Sequence, residues 1–198
     1  VTVNSIGSTW NITNNLSVGT SGNGMLLITG GGHVFNDNGY LAWEAGSTGM
    51  ATVNGNGSTW TNSGDLHVGK SGSGGVSITD SGEVQVGGMT QLYANGTVNI
   101  DGGTMSVVEM LELDAGSTVN LNSGTLSVTS FSGDGSLVWN GGTLEITAPT
   151  GLTIGASGPL GALLAIDADQ ALNVTNTTTI QSGARIIAQG GFARDRLT

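Results

Sequence analysis

The sequence predicts an all-β fold, a single-stranded parallel β-helix, and three observations lead to this prediction. The chain repeats about every 25 residues, apolar and polar residues alternate within each repeat, and glycine or asparagine interrupts the alternating segments. A repeat of this length is typical of a solenoid, whose units cannot bury an apolar face alone and therefore stack on their neighbours. We expect a right-handed helix of about nine coils, each of roughly 18–25 residues.

The repeat is clearest in the first half of the chain. The sequence Gly-Ser-Thr-Trp occurs at Gly7–Trp10 and again at Gly57–Trp60, and Leu16–Gly24 is closely matched by Leu66–Gly74. Further along, shorter units carry one shared core pattern, at Val98–Val107, Val119–Val128 and Leu137–Ile146. We therefore expect one continuous domain over 1–198, with regular coils in 1–95, shorter coils in 96–148, and less regular coils with a tail in 149–198.

Each coil is expected to contain three short strands. In the first strand, Ile28, Val53 and Ile78 should point inward and stack on one another, because alternate residues of a strand face opposite sides. The second strand is expected at Leu16-Ser17-Val18, Leu41-Ala42-Trp43 and Leu66-His67-Val68. The third strand should align Trp10, Phe35, Trp60 and Gln85, while Val18, Trp43, Val68 and Tyr93 form a further column.

The two ends of the chain carry weaker signals. Val1–Val3 already has the alternation of a strand, so the chain is expected to begin in mid-solenoid. Gly191–Thr198 departs from the pattern, which predicts a frayed tail or the start of a cap. Beyond Pro149 the expected inward positions are Leu152, Ile154, Leu164, Ile166, Leu172, Val174 and Ile180.

Composition excludes several classes of partner. Only 9% of the residues are charged, the formal net charge is −10, and four residues are Lys or Arg. Because so few cations cannot neutralise phosphates, we expect no nucleic-acid partner and no binding to anionic membranes. No apolar run approaches the roughly 18 residues of a membrane span, so we expect no membrane insertion by this segment.

A search for catalytic groups predicts none, and we expect neither a metal site nor a cofactor. His67 should point outward beside Asp65, which we interpret as a solvated surface pair because no nucleophile accompanies it. Asp80, Glu83 and Asp101 form a weak acidic spot at the turns, with no Lys or Arg placed beside it by the pattern. Since hydrolysis or elimination needs positioned carboxylates or a base, we predict that the chain is not an enzyme.

The aromatic residues recur in register and allow two interpretations. Exposed aromatic ladders stack on sugar rings, whereas aromatic residues in a solenoid interior or corner stabilise the fold by packing. We favour packing. A regular lattice for a surface such as ice is disfavoured, because the outward series Thr2, Leu27, Thr52 and Ser77 is uneven.

The units Gly7–Gly32 and Gly57–Gly82 resemble the repeat of type V secretion autotransporter passengers and of PEP-CTERM-associated exported proteins. That repeat has the pattern G-S-T-W-x-N-x-x-x-L-x-V-G-x-x-G-x-G-x-L-x-I-x-x-G-G. The second half resembles the passenger β-helix with Gly-Gly-Thr-Leu units. The resemblance implies an exported bacterial β-helix shaft, usually non-enzymatic, at the cell surface or in the extracellular matrix.

The expected function is therefore a non-enzymatic structural or adhesive module of an exported bacterial protein. Its surface ligand is left open, with a glycan and self-association as the alternatives. The competing hypothesis is a β-helix that binds a carbohydrate or acts on a polysaccharide as a lyase or hydrolase.

Overall fold

The computed structural model describes residues 1–156, 160–189 and 191–194, the last of these by backbone alone. In this part of the chain the structure is all-β, contains no helix, and stacks as a parallel β-solenoid of about eight turns. The predicted fold class is confirmed.

The described residues form short strands separated by tight turns. In chain order they are β1 (Thr2–Asn4), β2 (Thr9–Asn11), β3 (Leu16–Val18), β4 (Asn23–Thr29), β5 (His33–Asn36), β6 (Gly39–Leu41), β7 (Thr48–Asn54), β8 (Thr59–Asn62), β9 (Leu66–Val68), β10 (Ser73–Thr79), β11 (Glu83–Val86), β12 (Thr90–Leu92), β13 (Gly96–Asp101), β14 (Thr104–Leu113), β15 (Thr118–Leu121), β16 (Thr125–Gly133), β17 (Ser136–Trp139), β18 (Gly142–Ile146), β19 (Leu152–Ile154), β20 (Leu163–Ile166), β21 (Gln170–Val174), β22 (Thr178–Ile180), β23 (Arg185–Ala188) and β24 (Gly191–Arg194).

Each of the first four turns contributes three strands, one to each side of the solenoid. The first side is a seven-stranded sheet in the order β1-β4-β7-β10-β13-β15-β17. The second and third sides begin as the separate series β2-β5-β8-β11 and β3-β6-β9-β12, which meet at the long strand β14. The register of β14 with β16 shifts between Val107 and Met110, which marks the bend between these two sides.

The interior of the first side is a continuous apolar column. Ile28 pairs with Val53 and Val53 with Ile78, and all three side chains are fully buried. The column continues through Ile100 to Leu121 in the shorter coils. The predicted stacking of Ile28, Val53 and Ile78 is confirmed.

The predicted aromatic column on the second side is wrong at two positions. Trp10 pairs with Val34, and Val34 pairs with Trp60, so Phe35 points outward and is 41% exposed. Gln85 also points outward, because Val84 takes the inward position beside Trp60.

The physical reason lies in the turns. The turn from Thr29 to His33 is one residue shorter than the equivalent turn from Asn4 to Thr9. A shift of one residue moves every side chain of a strand to the opposite face. The 25-residue spacing survives because the later loop from Leu41 to Thr48 is longer than its equivalents in the first and third coils.

The third side needs a similar correction. In the second coil the strand is Gly39–Leu41 and not Leu41–Trp43, so Leu41 lies between Val18 and Val68. Leu92 follows Val68 in this column, which places Trp43 and Tyr93 outside it. Both aromatic residues lie instead just beyond the ends of their strands.

A buried polar network fixes Trp60 in the interior. Its indole Nε1 donates a hydrogen bond of 2.7 Å to Oδ1 of Asn36, and Nδ2 of Asn36 donates one of 2.7 Å to Oδ1 of Asn62. Gly39 makes room for this arrangement, because a Cβ there would lie 2.4 Å from Asn62 Oδ1 and 3.2 Å from the Trp60 ring. The first and third coils carry the larger residues Leu16 and Leu66 at that position.

The last coils follow the predicted inward positions closely. Six of those residues are buried, namely Leu152, Ile154, Leu164, Ile166, Leu172 and Val174. Ile180, also expected to point inward, pairs with the buried Ile154 but is itself 41% exposed, because β22 has no second partner strand in the part of the chain that is described. Within the predicted tail, Gly191–Arg194 forms β24 and pairs with β21, while 195–198 lies outside the described residues.

Candidate functional site

The acidic residues at the corner between the first and second sides of the solenoid accept hydrogen bonds from neutral donors. Asn54 Nδ2 donates a hydrogen bond of 2.6 Å to Asp80, and Ser123 Oγ donates one of 2.8 Å to Asp101. The backbone N–H of Asp80 donates to the carbonyl of Asp101 at 3.3 Å, so these residues are neighbours as expected. Glu83 accepts a separate hydrogen bond of 2.7 Å from the Gln85 amide.

Among the described residues, no group of three or more His, Cys, Asp or Glu side chains is arranged to hold a metal ion. The described part of the chain likewise has no helix whose length and apolar content would let it cross a membrane.

The most distinctive surface feature is an aromatic cluster on the third side of the solenoid, made of Tyr40, Trp43, His67 and Tyr93. Tyr40 and His67 come from adjacent strands, β6 and β9, and their rings are parallel within 5° at a centroid distance of 5.2 Å. Tyr93 continues the stack from the next turn, at 6.1 Å from His67, and its hydroxyl lies 3.3 Å from His67 Nδ1. The cluster therefore extends along the solenoid axis over three turns.

Trp43 lies across this stack. Its ring is nearly perpendicular to Tyr40 at 4.7 Å and to His67 at 5.9 Å. Lys70 then places its ammonium nitrogen 3.7 Å from the centroid of the Trp43 ring, which is a cation–π contact.

The backbone before Trp43 is strained in a way that positions the indole. The register aligns Ala42 with Gly19 and Gly69, and all three have positive φ, at 56°, 70° and 75°. Glycine adopts this conformation freely, whereas an alanine loses about 1–2 kcal/mol. The second coil thus keeps the sharp turn of its neighbours despite the side chain, and Trp43 follows directly.

The electrostatics of the cluster follow from its partial burial. Desolvation lowers the pKa of His67, an effect that exceeds the opposing attraction of Asp65 and is reinforced by Lys70. Desolvation also raises the pKa of Tyr93, and the carboxylates of Asp114 and Glu112 add to that increase. Neutral His67 and neutral Tyr93 are the forms that the folded cluster favours.

We expect stability to depend on His67 in mildly acidic solution. Because the folded pKa lies below the unfolded one, the unfolded chain binds the proton more readily. The free energy of unfolding should therefore fall as the pH drops below about 6.5, and the decline should stop once the pH is below the folded pKa. Urea unfolding at a series of pH values, compared between the parent and His67→Gln, measures this contribution.

His33→Gln is the matched control and should retain the decline. A parallel pH profile for the parent and His67→Gln would contradict the prediction.

A second surface feature is a shallow groove on the second side of the solenoid. Two adjoining depressions of about 290 and 250 Å³ share Thr61 and Ser63. The exposed side chains of Phe35 and Val108 line its two ends.

Sequence reasoning placed His67 outward beside Asp65 but missed its aromatic neighbours. It assigned Trp43 and Tyr93 to the column of Val68, and it placed Ala42 beside His67 where the structure has Tyr40. The 25-residue period aligns Tyr40 with Asn15 and Asp65, whereas strand pairing aligns it with Ser17 and His67, two residues further along. This two-residue offset in the second coil is the signal that was missed.

Comparison with known proteins finds no match to the chain among family models, curated protein sequences or solved structures.

Proposed function

We propose that the chain is a non-enzymatic structural or adhesive module of an exported bacterial protein, a β-solenoid shaft displayed at the cell surface or in the extracellular matrix. The observation that carries this proposal is the parallel stacking of about eight turns in the described part of the chain, joined from β2 to β24 by one continuous sheet. At the strand spacing of a sheet, such a stack is a rod of about 40 Å. A rod of this kind separates or presents whatever is attached to it.

Side-chain ladders along the outside support a rigid shaft. Asn120 donates a hydrogen bond of 2.7 Å to Asn99 on the adjacent turn, and Asn140 donates one of 2.8 Å to Asn122. Asn54 bridges in the same way to Thr79 at 2.7 Å. Such bonds link successive turns beyond the backbone hydrogen bonds and add to the neighbour-to-neighbour stability of a solenoid.

Export and surface location are supported by the resemblance of the Gly-Ser-Thr-Trp units to autotransporter and PEP-CTERM-associated repeats. The net charge of −10 favours solubility, because like-charged rods repel one another. The low number of cations argues for partners other than nucleic acid and anionic membranes.

A second candidate function is carbohydrate binding, and the aromatic cluster favours it. Tyr40, Trp43, His67 and Tyr93 are only partly buried and lie together on the surface, whereas Trp60 is fully buried in the core. Polysaccharide cleavage has less support, since Asp80 and Asp101 are each bound by a neutral amide or hydroxyl donor and not by a base.

Two measurements test the proposed function. The chain is exported between a secretion signal and a surface anchor in a bacterium, and attachment of the cells to glycan-coated surfaces under flow is compared with cells that carry the anchor alone. In parallel, the purified chain is incubated with pectin, alginate and neutral glycans, with and without calcium, and reducing ends and unsaturated products are measured. We expect increased attachment and no turnover. Turnover that Asp80→Asn or Asp101→Asn abolishes would replace this proposal with an enzyme, and attachment equal to the anchor-only cells would remove the adhesive role.

A further inference from the structure

We infer that the aromatic cluster is a binding site for glycans whose sugar rings carry protonated amino groups. This inference deepens the adhesive part of the proposed function and rests on it. It draws on the cation already seated on Trp43, the rigid aromatic wall behind it, and the carboxylates around it.

Trp43 already accepts an ammonium group. Lys70 Nζ lies 3.7 Å from the ring centroid, which is where a cationic ligand would sit on an indole face. Lys70 is exposed and its stem is flexible, so it can leave the ring without disturbing the buried strands. The contact therefore marks the Trp43 face as a cation site, which the Lys70 ammonium occupies when no ligand is bound.

The wall behind Trp43 is pre-organised. Tyr40 and His67 stack in parallel and meet the indole edge-on, which fixes the plane of Trp43 on the surface. The strained turn at Ala42 holds the backbone from the other end. Rigid aromatic surfaces of this kind bind with a small loss of conformational entropy.

The charges around the cluster match a cationic ligand. Asp65 acts on His67, and Asp114 and Glu112 act on Tyr93, closely enough to shift the pKa of each ring. The whole chain carries a net charge of −10. An ammonium-bearing ligand is therefore attracted over distance and is stabilised at the cluster.

An amino sugar fits this site better than a lysine side chain does. A lysine from a peptide would only replace Lys70, which has the advantage of being attached to the same chain. A sugar ring adds the stacking of its apolar C–H face on the indole, in addition to the ammonium contact. Polar groups for the rest of the ring lie close to the cluster, since Gln91 is paired with His67 on the adjacent strand and donates a hydrogen bond of 3.5 Å to Asp114.

The test uses a glucosamine hexasaccharide and its fully N-acetylated counterpart, in which every protonated amine is replaced by a neutral acetamide. Binding to the full chain is measured by isothermal titration calorimetry and by tryptophan fluorescence at low salt. We expect the glucosamine chain to bind at least about tenfold more tightly. Trp43→Ala should weaken it about tenfold or more, and Asp114→Asn should weaken it by a smaller factor that salt reduces.

Lys70→Ala gives the sharpest outcome. Because Lys70 competes for the indole face, its removal should tighten glucosamine binding several-fold. Phe35→Ala removes an exposed aromatic ring on another side and should leave the affinity unchanged. Circular dichroism and thermal unfolding confirm that each variant keeps the fold of the parent.

Three results would each overturn the inference: equal affinity for the two hexasaccharides, an unchanged affinity in Trp43→Ala, or weaker binding in Lys70→Ala. Equal binding of a lysine hexapeptide would show a general cation site and would also overturn the glycan assignment. These failures differ from failure of the proposed function, because cells that display the parent or Trp43→Ala would then attach equally, and both would still attach more than cells that carry the anchor alone.

Discussion

Val53→Asp is expected to lower the free energy of unfolding by about 4 kcal/mol or more. Val53 is fully buried between Ile28 and Ile78, so an aspartate there would have apolar neighbours on both adjacent turns. The carboxylate would have to lose its water or take up a proton, and either change disfavours the folded chain. Thermal unfolding should show a midpoint lower by about 10 °C for a chain of this size.

Thr52→Asp is the control for this experiment. Thr52 is on the same strand and points outward between Leu27 and Ser77, so its carboxylate would remain hydrated. We expect a change within about 0.5 kcal/mol. If Val53→Asp melts within about 2 °C of the parent, the register of the first side is not the one described.

Trp60→Ala is expected to cost about 4 kcal/mol or more for two reasons that add. Removing a fully buried indole leaves a cavity, and large-to-small changes of this type cost about 3–5 kcal/mol. The change also leaves the Oδ1 atom of Asn36 without its donor in the interior, which costs about 1–3 kcal/mol. Urea unfolding followed by circular dichroism measures the total.

Trp60→Phe separates the two contributions. Phenylalanine keeps most of the ring volume but has no N–H, so the loss should be about 1–3 kcal/mol and come mainly from Asn36. Trp43→Ala removes an indole from the surface and serves as a matched control, with a smaller loss than Trp60→Ala. Equal losses at positions 43 and 60 would contradict the assignment of Trp60 to the core and Trp43 to the cluster.

The first side of the solenoid could be predicted from the sequence because its strands are long and its spacing is constant. The strands β4, β7 and β10 each span seven residues and pair along their whole length. Alternation over such a length defines the inward face without reference to the turns. The column of Ile28, Val53 and Ile78 was therefore correct.

The second and third sides were predicted less well because their strands are short. β5 has four residues and β6 has three, so the pattern within each strand is too brief to fix the register. The prediction relied instead on residue number. The short turn from Thr29 to His33 shifted Phe35, and a second short turn, from Asn36 to Gly39, shifted Leu41 further. The long loop after Leu41 then restored the period. Gly39 was a signal in the sequence, since a small residue replaced leucine where the buried Trp60 needs space.

The sequence by itself determined the fold class and the first apolar column, because repetition and alternation are local properties of the chain, and its composition determined the acidic charge balance. Only the tertiary structure decided which aromatic residues lie together. Tyr40, His67 and Tyr93 meet because strand pairing aligns successive turns. Trp43 joins them because the positive-φ turn and longer loop of the second coil place it there, and Lys70 reaches Trp43 from the loop of the third coil. Contacts between turns depend on the length of every loop between them, and a pattern read along one chain does not fix those lengths.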